Sequence, residues 1–150
     1  MSKTSQQLQE LRLKALIDAC REKKLKITPQ RLEIFRELVF FDGHPSVDEI
    51  FARISERMPT MSVDTVYRTL AMLQQAGVLT KVEVLDDLGR FDMNLDSHHH
   101  FVCTRCHRVE DFYWPDFDEM TIPNEVRQWG EINRPHVEVR GICRTCLSAS

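Results

Sequence analysis

Apolar residues recur every three to four positions through the first half of the chain, then at every second position beyond it. Within residues 5–22, Leu13, Leu16, Ile17 and Cys20 fall at i, i+3, i+4 and i+7, the spacing that lines one face of a helix. Thr28 and Pro29 then form a cap and first turn, and Leu32, Phe35, Leu38 and Val39 make the apolar face of a second helix. Gly43-His44-Pro45 breaks it. Ser46 caps a third helix with Val47, Ile50, Phe51 and Ile54 inward, ended by Met58-Pro59. Ser62 caps a fourth that stops at Gly77, with Val63, Val66, Leu70 and Leu73 as its buried stripe.

On this fourth helix Asp64, Thr65, Arg68, Met72 and Gln75 lie opposite the stripe, and Tyr67 lies on a flank. A capped helix, a turn and a second capped helix with an outward polar face predict a helix-turn-helix. Strand-like runs at Val78–Leu85 and Arg90–Leu95, joined by the Asp86-Asp87-Leu88-Gly89 turn, predict a hairpin behind it. That combination is a winged helix. From Asp96 the pattern changes to short strands, His98–Cys103, Arg108–Tyr113 and His136–Gly141, around one helical stretch at Asn124–Trp129. The expected fold is α+β, with a winged-helix domain over residues 1–95 and a small α/β domain over residues 96–150.

A chain of 150 residues with 42% hydrophobic content can bury one ordinary core or two small ones. The N-terminus lacks a secretory pattern and no apolar run reaches membrane-spanning length, so a cytoplasmic protein without a membrane partner is expected. Net charge is −3, which alone speaks against nucleic acid. The average hides a gradient, since residues 1–31 carry eight Lys/Arg against three acids, whereas residues 96–150 carry six Arg against nine acids. A basic front on an acidic rear suits a DNA-binding module joined to a second domain, although charge alone fits a solvated helix face as well.

The chemistry concentrates in the second half. Two Cys-x-x-Cys pairs, Cys103/Cys106 and Cys143/Cys146, can complete a tetrahedral S₄ site suited to structural zinc. In a reducing compartment such thiols are ligands; a redox dithiol, or disulfides after export, is the alternative. If Cys103–Cys106 forms a tight hairpin turn, facing residue numbers sum to 209 and His98 stands opposite Asp111. His98 and His100 share one strand face, with His99 on the other. His98, His100 and Asp111 can then converge, with Asp92 close enough to join. Nitrogen and oxygen donors without sulfur favour Fe²⁺ or Mn²⁺, although zinc also accepts them.

Ile27-Thr28-Pro29-Gln30-Arg31, His44-Pro45-Ser46-Val47-Asp48-Glu49-Ile50 and Ser62-Val63-Asp64-Thr65-Val66-Tyr67-Arg68-Thr69-Leu70 match a known pattern. So do Arg90-Phe91-Asp92, the run His98–Cys106, and Gly141–Cys146. In this order and spacing they resemble the ferric uptake regulator family over nearly the whole chain. The resemblance implies a homodimeric, metal-dependent repressor that binds a palindromic operator in double-stranded DNA. It implies His44 as a further ligand beside Asp92, His98, His100 and Asp111, and it makes the cysteine quartet structural zinc.

Asp111 stands where iron-responsive members usually carry glutamate and peroxide-responsive ones aspartate, which points to the peroxide branch. The resemblance then implies that Fe²⁺ reacts with hydrogen peroxide at the site and oxidises His44 or His98, while Mn²⁺ represses without responding. Arg68, with Tyr67 and Thr65, is expected at the DNA, and Lys23, Lys24 and Lys26 at phosphates. The pattern departs from iron-uptake regulators at Ser97 and His99, so their additional metal site is not expected. Pro135 also occupies a usual histidine position, and strict alternation would turn His136 away unless a bulge corrects it. An iron-responsive repressor, a metallohydrolase using His98, His100, Asp92 and Asp111, and a bare zinc-knuckle adaptor are the alternatives.

Overall fold

The computed structural model describes residues 3–82 and 89–149. The chain divides into two compact units, Met1–Leu95 and Asp96–Ser150. In the first, four helices run α1 Lys3–Glu22, α2 Pro29–Phe40, α3 Val47–Ser55 and α4 Val63–Gln75, followed by β1 Thr80–Val82 and β2 Arg90–Asp92. Polar side chains start three of these helices. The hydroxyls of Thr28, Ser46 and Ser62 accept from the backbone N–H groups of Arg31, Glu49 and Thr65 at 3.2, 3.2 and 3.1 Å. Each satisfies a donor that the first turn leaves without a helical partner. At the far end of α4, Gly77 takes φ +76°, and the N–H groups of Gly77 and Val78 return to the carbonyls of Gln74 and Leu73. Glycine accepts this left-handed geometry without a Cβ clash, so the helix stops there.

Leu13, Leu16 and Cys20 of α1, Phe35 and Leu38 of α2, Ile50 and Ile54 of α3, and Val66, Leu70 and Leu73 of α4 form one core. Burying each large apolar side chain contributes about 1.5–3 kcal/mol. Two assignments differ from the pattern. Ile34 is fully buried although it lies off the expected α2 stripe, and Val63, the first residue of α4, is 45% exposed although it was expected on the buried stripe. The β1–β2 hairpin pairs Thr80 with Asp92 and Val82 with Arg90, so its second strand ends at Asp92, where the carboxylate accepts from the Asn94 N–H at 2.8 Å. The last part of the expected first strand, residues 83–85, and the expected Asp86–Leu88 part of the turn lie outside the described residues.

In the second unit β3 His99–Cys103 is central. It runs antiparallel to β4 Val109–Phe112 and parallel to β5 Glu138–Gly141. Two short helices, α5 Pro115–Asp118 and α7 Arg144–Ser148, were not expected, whereas α6 Asn124–Trp129 was. The hairpin register also differs. His100 faces Asp111 and His99 faces Phe112, so facing numbers sum to 211 rather than 209. The turn is wider than a two-residue link because Cys103 N–H bonds to the Arg108 carbonyl and His107 takes φ +62°. The slip is even, so every side chain keeps its face.

Candidate metal centres

The knuckle between β3 and β4 presents Cys103 and Cys106, and the start of α7 presents Cys143 and Cys146. The Cys103–Cys146 and Cys106–Cys143 sulfurs lie 3.9 and 3.8 Å apart. All four are free thiols. Sulfurs held about 2.3 Å from one ion at tetrahedral angles stand about 3.8 Å from each other, so these two pairs already stand at zinc spacing, and all four sulfurs lie within 4.8 Å of one another. The Cys143 N–H donates to Cys103 Sγ at 3.3 Å, and the Cys146 N–H to Cys143 Sγ at 3.4 Å. Backbone N–H groups of Cys106 and Cys143 pull the Cys103 thiol down to about 5. Cys146 is pushed up to about 12, first by its contact with Cys143 and then by burial. One thiolate is thus favoured and the next resisted, which a divalent cation would reverse. This quartet suits structural zinc.

The nitrogen and oxygen donors form two sets. In the first unit the His44 imidazole lies beside the Asp92 carboxylate, Nε2 to Oδ2 3.3 Å. The turn carrying His44 is tied to β2, because Arg90 donates to the His44 carbonyl at 3.0 Å and Phe91 N–H to the Pro45 carbonyl at 2.9 Å. In the second unit one Asp111 oxygen lies 3.4 Å from His98 Nε2 and 3.2 Å from His100 Nε2. Those two nitrogens are themselves 3.1 Å apart. His98 Nδ1 is held 2.5 Å from the Asp96 carbonyl, so Nδ1 carries the proton and Nε2 keeps its lone pair. Imidazole nitrogens and carboxylate oxygens without sulfur suit Fe²⁺ or Mn²⁺.

Two histidines behave otherwise. His99, fully buried on the opposite face, accepts the Val137 N–H at Nδ1 (3.0 Å) and meets Asp118 Oδ1 through Nε2 at 2.9 Å. Its nitrogens are occupied, so it offers no ligand. His136 was expected to turn away, yet its Nε2 lies 2.8 Å from His100 Nδ1. Strand alternation does not govern it, because β5 begins only at Glu138. Burial, followed by the neighbouring His100, His99 and Arg134, lowers the proton affinity of this imidazole.

On α4 the outward side chains form a polar face. Tyr67 is 57% exposed, and the Arg68 side chain is 78% exposed and paired, among the described residues, along its own helix with Asp64 at 3.0 Å. Thr65 is half-buried near the cap, its hydroxyl 2.8 Å from Ser62 Oγ.

A winged helix joined to a unit with a tetrathiolate and an imidazole–carboxylate cluster defines a metal-dependent transcriptional regulator. The model of the ferric uptake regulator family matches residues 22–134. A peroxide-responsive repressor of Staphylococcus epidermidis is 32% identical over 135 residues, 89% of each chain. The ferric uptake regulator of Helicobacter pylori superposes with a TM-score of 0.72 at 23% identity, covering 93% of each chain. The peroxide-sensing regulator PerR of Streptococcus pyogenes gives 0.52 at 27% identity, covering 90% of this chain and 92% of that one. The chain belongs to the ferric uptake regulator family. Members of that family are DNA-binding regulators rather than enzymes, which sets the metallohydrolase alternative aside.

Proposed function

We propose that this chain is a peroxide-responsive repressor whose regulatory ion, Fe²⁺ or Mn²⁺, is held by His44, Asp92, His98, His100 and Asp111. The observation that carries the proposal is Asp111, an aspartate one methylene shorter than the glutamate expected of an iron sensor, set between His98 and His100. The likeness to peroxide-responsive repressors points the same way. The chain works as a cytoplasmic homodimer, because its target is a palindrome in double-stranded DNA and each half-site needs one recognition helix. Arg68, Tyr67 and Thr65 face that DNA.

His44 and Asp92 belong to the unit that carries the recognition helix, and His98, His100 and Asp111 to the other. A ligand set drawn from both favours one arrangement of the dimer's two readers. That is the differential stabilisation which coupling requires. When bound, Fe²⁺ supplies electron transfer to hydrogen peroxide. The overall step breaks the O–O bond, places one oxygen on a ring carbon of His44 or His98 in place of hydrogen, and releases water. It is a two-electron oxidation of the imidazole and a two-electron reduction of the peroxide. The altered ring is a poorer ligand, so the clasp opens and repression ends.

Peptide mass spectrometry after peroxide tests the reading. One added oxygen on a peptide containing His44 or His98 is expected in the Fe²⁺ form alone; equal oxidation of the Mn²⁺ form would contradict it. Selection of bound duplexes from a random pool should yield a palindrome with Mn²⁺ and none with chelator. Asp111→Glu should keep metal-dependent binding of that palindrome and lose much of the peroxide response.

A further inference from the structure

We infer, on the reading of His100 as a ligand, that His136 is the positioning residue of the regulatory site, holding His100 in the tautomer and orientation that present Nε2 to the ion. The two edges of the His100 ring have different surroundings. Nε2 faces the Asp111 carboxylate at 3.2 Å and His98 Nε2 at 3.1 Å, whereas Nδ1 lies 2.8 Å from His136 Nε2. A nitrogen that gives its lone pair to a cation carries no proton, so the proton of neutral His100 resides on Nδ1. It is donated to His136 Nε2, which must accept, and His136 keeps its own proton on Nδ1. Because His136 addresses the edge of the ring away from Asp111, it orients the ligand without replacing it.

Ligating histidines regularly anchor their second nitrogen on a carboxylate or a carbonyl. His98 does so through the Asp96 carbonyl. His100 uses a second imidazole, and the chain holds that imidazole in place from both sides. Pro135 fixes the backbone angle just before it. Val137, just after it, is bound at both polar groups, its N–H donating to His99 Nδ1 at 3.0 Å and its carbonyl accepting from His100 N–H at 3.1 Å. The His136 ring also packs against both neighbours, with centroids 4.9 Å from His100 and 5.9 Å from His99. The buried His99 thereby helps aim a group that touches the ligand on the opposite strand face.

The test uses the full-length, zinc-loaded protein and measures Mn²⁺ affinity by competition with a fluorescent chelator. The visible absorption of Co²⁺ at the same site gives a spectroscopic readout. His136→Phe keeps a ring and removes the acceptor, and should weaken Mn²⁺ binding by roughly 10–100-fold, the usual effect of losing a ligand's anchoring partner. His136→Gln, whose side-chain carbonyl can accept the same bond, should restore most of the affinity and the Co²⁺ spectrum. If His136→Phe fails to fold with its zinc, His136→Leu serves in its place. His100→Ala tells the two levels apart. Near-wild-type Mn²⁺ binding in His136→Phe alongside its loss in His100→Ala overturns the inference and leaves the proposed site standing. Equal losses in the Phe and Gln variants, with zinc content unchanged, also overturn it. Undiminished binding by His100→Ala would remove the proposed site, and the role of His136 with it.

Discussion

At the residue scale, the face assignments of the second unit depended on parity alone. His98, His100 and Asp111 could be grouped from alternation although the facing sum was wrong by two, because an even slip returns each side chain to its own side. The position of His136 could not be obtained that way, since it precedes its strand and answers to Pro135 and Val137 instead. His99 illustrates a buried polar group whose partners are distant in sequence, Asp118 and the Val137 N–H. No local pattern announces them. His99→Leu should lower unfolding free energy by about 1–3 kcal/mol, because the Val137 N–H loses its acceptor; chemical denaturation with zinc retained would measure it. Cys20, fully buried in the helical core, has its thiol pushed up by that burial, only partly countered by Arg31. It should stay unmodified by iodoacetamide in the native protein and react once the first unit is unfolded.

At the scale of elements, the helices of the first unit were legible because each carries several turns of periodic apolar residues and a polar cap. Helices α5 and α7, of 4 and 5 residues, are too short to express a 3.6-residue period. The second arises from the knuckle itself, where Cys143 Sγ accepts the Cys146 N–H in the manner of a cap. Ser46→Ala removes the cap of α3 and should cost about 1 kcal/mol, readable as a shift in melting temperature. For α4, Arg68→Ala breaks only an exposed i,i+4 pair with Asp64, worth about 0.3–0.5 kcal/mol, so stability should barely change. DNA affinity should nevertheless fall. Its dependence on salt separates the two kinds of contact: a slope reduced by about 1 marks a phosphate partner, and an unchanged slope with relaxed sequence preference marks a base.

At the scale of the whole chain, the apolar cluster that organises the fold belongs to residues before Asp96. Among the described residues of the second unit, the buried apolar set is Val102, Cys103, Val109 and Cys143, of which two belong to the sulfur quartet. So small a core needs a staple, and structural zinc in small domains contributes roughly 10–16 kcal/mol of binding free energy to folding. Stripping zinc should therefore expose residues beyond Asp96 to limited proteolysis while the helical circular dichroism of the first unit persists. Simultaneous loss of both would show that the units fold as one. The change from helical to alternating spacing made two regions legible in the sequence; the dependence of the second on a metal showed only in its cysteines.

Strand β5 runs into the second cysteine pair, and its Gly141 carbonyl accepts the N–H of Thr104 inside the first at 2.8 Å. The segment just before β5 carries His136. The second cysteine pair and the imidazole inferred to seat His100 are consequently carried on successive stretches of one peptide. On the proposed reading, loss of zinc from the sulfur quartet would loosen the stretch that seats His136, so zinc starvation should blunt the response even with manganese or iron in plenty.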